Sequence, residues 1–131
     1  MGVRLPSGGN QVLQNALPAN NAETIVLTSQ LINITLEFQP VLIFWYISIQ
    51  AGASTTSIGV KLRRGITTAG VQLNGLNAGI TLTAGQAQNL TGCWIDTPGA
   101  VAGIQYSIGI VQTGATAAGT MLDQSILVMA L

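Results

Sequence analysis

With 131 residues carrying four basic and four acidic side chains, the chain lacks the cationic surface that a binder of nucleic-acid phosphates requires, and it has no histidine, the commonest general base and metal ligand. Hydrophobic residues make up 48% and charged ones 6%, where soluble domains average roughly 25% charged, so the surface must consist of Ser, Thr, Asn, Gln, Gly and apolar atoms, a composition suited to contact with other protein. The length fits one domain able to bury a core without metal, and the single cysteine, Cys93, excludes an intrachain disulfide.

Residues 1–20 show no strand alternation. Leu5-Pro6-Ser7-Gly8-Gly9-Asn10 and Leu17-Pro18-Ala19-Asn20-Asn21 flank a short Gln11–Ala16 segment. This predicts an extended N-terminal arm whose apolar anchors, Val3, Leu5, Val12, Leu13 and Leu17, dock on a neighbour by strand addition or in a groove. The first six residues have no apolar secretory stretch, which points to synthesis and use in the host cytoplasm without export.

From residue 21 to 131 the periodicity is that of strands. Ile32, Ile34, Leu36 and Phe38 alternate with polar residues, as do Ile58, Val60 and Leu62 against Gly59, Lys61 and Arg63, and Ile104, Tyr106, Ile108 and Ile110 against Gln105, Ser107 and Gly109. Extended segments are expected near 22–30, 31–38, 41–50, 56–64, 68–73, 79–83, 87–95, 103–112 and 121–131, with no long helix. Turn signals between them include Ala51-Gly52, Asn74-Gly75, Asn77-Ala78-Gly79, Ala84-Gly85 and Thr97-Pro98-Gly99. That many short strands in one domain predicts an all-β, antiparallel two-sheet sandwich of the jelly-roll kind.

Two segments are apolar on both faces. Val41–Ile47 is the longest apolar run, far short of the roughly 20 residues of a membrane-spanning helix, and Ser125–Leu131 repeats the pattern, with Leu127, Met129 and Leu131 on the face opposite Ile126 and Val128. A strand of this type is covered by the core on one side and by a neighbouring subunit on the other, so the pair implies an oligomer, either homodimer or homotrimer.

No catalytic constellation is visible. Glu23, Glu37, Asp96 and Asp123 are the only carboxylates, unpaired by spacing and expected in solvent or turns. Asp96-Thr97-Pro98-Gly99 reads as a turn with Asp96 bonding nearby backbone amides, and Cys93 beside Trp94 as a small buried side chain without an activating base. Arg63-Arg64 is the most pointed polar feature, either a solvated strand end or an anchor that grips a partner's carboxylate. Neither a cofactor nor an enzymatic activity is indicated.

The stretches Leu62-Arg63-Arg64-Gly65-Ile66-Thr67-Thr68, Trp94-Ile95-Asp96-Thr97-Pro98-Gly99, Gln105-Tyr106-Ser107-Ile108 and the closing Ser125–Leu131 strand resemble small bacteriophage virion proteins, namely capsid decoration (cement) proteins and fibre heads with jelly-roll or TNF-like sandwiches. The resemblance runs from about residue 20 to the end and rests on turn-and-strand patterns. It implies a virion protein on the outer capsid surface that oligomerises, binds a major capsid protein and bridges capsomers. Two alternatives stay open. One is a trimeric fibre or spike head that binds a receptor or glycan, against which Trp45, Trp94, Tyr46 and Tyr106 all fall inside expected strands rather than loops. The other is a small shell-forming capsid protein.

Overall fold

The computed structural model describes residues 22–114 and 118–131 and, ahead of them, the short segments 7–8, 11–12 and 16–17. In chain order the strands are β1 (Ser7–Gly8), β2 (Gln11–Val12), β3 (Ala16–Leu17), β4 (Glu23–Thr28), β5 (Ile32–Ile34), β6 (Val41–Gln50), β7 (Thr56–Arg64), β8 (Val71–Leu82), β9 (Ala87–Asp96), β10 (Val101–Ile104), β11 (Tyr106–Thr113) and β12 (Gly119–Ala130). All pairings are antiparallel.

Sheet I runs β1-β12-β6-β9, with β3 beside β1 on the same margin of β12, and sheet II runs β2-β4-β11-β7-β8. If the segments of residues 7–17 are counted as one first strand and β5 and β10 are set aside as a separate ribbon, the long strands fall in the orders 1-8-3-6 and 2-7-4-5. That order is a jelly roll, in which successive strands wrap from one sheet to the other. The segments that sequence alone assigns to an arm pair within the chain: Ser7 lies opposite Val128, Val12 opposite Leu27 and Leu17 opposite Gly119.

Period-2 patterning puts the core between the sheets. Val41, Ile43, Ile47 and Ile49 of β6, and Ile126 and Val128 of β12, face Ile58, Val60 and Leu62 of β7 and Ile108 and Ile110 of β11, all within a few per cent of complete burial. Fully burying one such side chain contributes about 1.5–3 kcal/mol, which makes this inner layer the main source of stability.

The expected segments 31–38, 68–73 and 79–83 differ from what forms. The alternation over 31–38 stops as a strand at Ile34, and Leu36 and Phe38 lie in a turn with 63% and 83% exposure. The two segments expected at 68–73 and 79–83 fuse into β8, because Asn74 and Gly75 do not reverse the chain but lie opposite Leu62 and Lys61. The β7–β8 register slips between Ile58 and Val60 and again between Leu62 and Arg63, so turn-prone residues are absorbed as irregularities in one long strand.

Candidate interaction surfaces

The ionic side chains of β7 point to opposite sides and are used differently. Arg64 shares the inward parity of Leu62, and Asp96, at the end of β9, shares the inward parity of Trp94 and Leu90. They meet between the sheets: Arg64 Nε donates to Asp96 Oδ2 at 2.8 Å and Nη2 to Oδ1 at 2.5 Å. The hydroxyl of Tyr106, a fully buried residue opening β11, donates to Asp96 Oδ2 at 2.9 Å. Burial pushes the Tyr106 phenol well above its ordinary value, and the Asp96 carboxylate adds to the rise, while that carboxylate also raises Arg64. The triad therefore fastens sheet I to sheet II.

Arg63 lies on the outward face of sheet II. Its Nε and Nη2 donate to the two carboxylate oxygens of Glu23, both at 2.6 Å, and its Nη1 donates to the carbonyl of Gly70 at 2.7 Å. Lys61 approaches the same carboxylate at 3.6 Å. Glu23 stands on β4 and Arg63 on β7, with β11 between them, and the path is open because position 109 is glycine: a Cβ there would collide with the Glu23 carboxylate. The hydrogen bonds from Arg63 hold the Glu23 carboxyl below its ordinary range and outweigh the opposing effect of burial.

These pairs correct three sequence expectations. Arg63 and Arg64 do not stand free to grip a partner, since each already holds a carboxylate of its own chain in a two-pronged contact. Asp96 is a buried acceptor rather than a turn cap, and Glu23 is paired rather than solvated. Cys93, expected to be buried, is exposed, because it falls on the outward parity of β9.

The outward face of sheet I is of another kind. Leu42 and Phe44 of β6 lie between Ile95 and Cys93 of β9 on one side and Met129 and Leu127 of β12 on the other, as the register sets them. All six are apolar, with Phe44 44% and Ile95 59% exposed. Farther along, Tyr46 is flanked by Thr91 and Ser125. Phe44, Tyr46, Thr91, Cys93, Ser125 and Leu127 border a shallow depression of about 610 Å³. Its floor is thin: Trp45, on the inward side, lies across Gly92, where a Cβ would strike the indole ring.

Of the residues expected to contact partners, Leu127 and Met129 stand on this face, while Leu131 follows the end of β12 at 53% exposure with its amide donating to the Pro40 carbonyl at 2.9 Å. Val12 and Leu17 fall in β2 and β3, and Val3, Leu5 and Leu13 lie outside the described residues.

No protein-family model matches the sequence and no curated protein matches it. Among solved structures, the chain is similar to chains from particles of infectious bursal disease virus. The T13 particle gives a TM-score of 0.66 at 9% identity, covering 95% of this chain and 31% of that one. The Gt strain gives 0.64 at 8%, covering 95% and 33%, and the VP2 subviral particle 0.56 at 10%, covering 95% and 31%. The chain thus spans about a third of the length of the chains it matches, and at such identity the likeness is one of fold.

Proposed function

We propose that this chain is a structural virion protein, a decoration or cement protein that oligomerises on the outer surface of a capsid and bridges its capsomers. The observation that carries this reading is the apolar block on the outward face of sheet I, where six uncharged apolar side chains from three adjacent strands are partly or largely exposed and, among the described residues, nothing packs over them. Six residues on three strands about 4.8 Å apart, extended by Tyr46 and measured at about 3.4 Å per residue, span on the order of 200–300 Å². That reaches the lower end of the largest apolar patch of a typical monomer, roughly 300–600 Å², and such patches mark contact sites. The jelly-roll fold shared with chains of virus particles supports the same assignment.

In this reading Phe44, Leu127 and Met129 contact the major capsid protein, the ion-paired face of sheet II turns to solvent, and the protein acts without cofactor. Mixing the purified protein with undecorated capsids and following sedimentation tests it: wild type co-sediments, and Leu127→Lys does not while keeping its fold. Failure of wild type to bind capsids overturns the decoration role. The match to about a third of longer virus-particle chains favours one second reading, a shell-forming unit. Closed particles seen by electron microscopy of the purified protein alone would select it.

A further inference from the structure

Each sheet of the sandwich has two margins, and three of the four are blunted. The β12 margin of sheet I carries β1 and β3 near its two ends. On sheet II, β2 covers part of the β4 margin, and β8 at the other side is broken by two slips of register against β7. Proteins blunt edges by covering strands, bulges, charge or proline, because a bare edge offers its N–H and C=O groups to any extended chain.

The fourth margin, β9, has none of these devices. Its ten residues pair with β6 in ten consecutive steps without a slip, so the strand is regular over its whole length. Residues 87–95 contain no charge and no proline, and the one charged residue, Asp96, is held inward by Arg64 and Tyr106. Among the described residues β9 has no strand partner beyond β6. Alternate residues of an edge strand turn both backbone groups outward, so β9 presents about five N–H and five C=O groups to the outside.

We propose that the β9 margin is the site of self-association, and that its occupant is β9 of a second copy, antiparallel across a two-fold axis. The strand suits itself: residues 87–95 carry no charge and Asp96 is held inward at one end, so no like charges face each other, and an antiparallel strand pairs isologously with its own copy. Pairing joins the two sheets I into one continuous sheet, doubles the width of the apolar outward face, and uses up the one margin of the two large sheets that is bare among the described residues, so assembly stops at the dimer. This goes beyond the decoration role, which concerns the face of the sheet rather than its edge.

The test is the mass of the full chain by sedimentation velocity and light scattering, with melting followed on every variant. Wild type is expected as a dimer. Trp94→Lys, an inward-parity charge at the edge, should weaken it by at least roughly tenfold. Gln88→Pro and Asn89→Pro are made in turn, because successive residues point their backbone groups to opposite sides: one loses a bond to β6 and stability, and the other loses an outward donor and only the dimer. Leu127→Lys should leave the dimer intact while abolishing capsid binding, which separates failure of this inference from failure of the decoration role. A monomeric wild type, a trimer, or a dimer that survives both proline variants but is lost in Leu127→Lys overturns the proposal.

Discussion

The outward faces of the two sheets differ in how their side chains are engaged. On sheet II, Glu23 reaches over Gly109 to Arg63 and Lys61, and the bond from Arg63 to Gly70 ties the following loop to the same cluster, so the charged groups there are paired within the chain. On sheet I, nothing among the described residues packs over the block around Phe44 and Leu127, and apolar groups can be relieved of water only by another surface. Five of the charged side chains, Glu23, Lys61, Arg63, Arg64 and Asp96, serve internal fastening, and none of them lies in the apolar block of sheet I.

The comparison breaks most visibly between the sheets. Asp96→Ala leaves Arg64 and the buried Tyr106 hydroxyl without their acceptor, and a loss of about 3 kcal/mol in urea unfolding is expected, with Tyr106→Phe costing about 1–2 kcal/mol as the smaller control. Gly109→Ala drives the Glu23 carboxylate off Arg63, and unfolding should register about 2 kcal/mol, while capsid binding is unchanged.

Glu23→Gln keeps the shape but removes the charge opposite Arg63, at a cost of about 1–2 kcal/mol near neutral pH. It also changes the acid dependence. The folded Glu23 pKa lies below its ordinary value of 4.5, so the stabilisation it provides is complete above that value and is lost as pH falls through the lowered folded value. Wild type should therefore lose stability on acidification through this window, and Glu23→Gln should show a flatter acid limb in thermal melts at stepped pH. The smallest effect on folding belongs to the opposite face: Phe44→Ser or Leu127→Lys should shift stability by no more than about 0.5 kcal/mol and yet remove capsid binding.

Much of this arrangement was legible in the sequence, and the misses have physical causes. The strands 41–50 and 56–64 emerge with the boundaries that alternation and flanking turn residues predict, and the doubled apolar patterns of Val41–Ile47 and Ser125–Leu131 belong to β6 and β12, neighbours in one sheet that share the open face. Alternation misled at Leu36 and Phe38, because apolar residues repeat every second position in a turn as easily as in a strand when nothing is there to bury them. Asn74-Gly75 misled because turn residues also fit a slip in register.

The Arg64–Asp96–Tyr106 triad had a signal that parity could have exposed. Each residue extends the inward-facing series of its own strand: Ile58, Val60, Leu62, Arg64; Leu90, Gly92, Trp94, Asp96; and Tyr106, Ile108, Ile110. Two opposite charges and a phenol at the ends of core-facing series must find one another, since an unpaired buried charge is too costly. The Glu23–Arg63 pair had no comparable signal, because it depends on β4 and β7 flanking β11, a long-range order that local pattern does not encode.

The pairing of Ser7 with Val128 brings two segments far apart in sequence side by side along the margin remote from β9. Joining them with a linker and opening the exposed turn at 83–86 preserves every long strand. The new ends of such a circular permutant would lie next to β9, turning the bare margin into an attachment point for a displayed peptide.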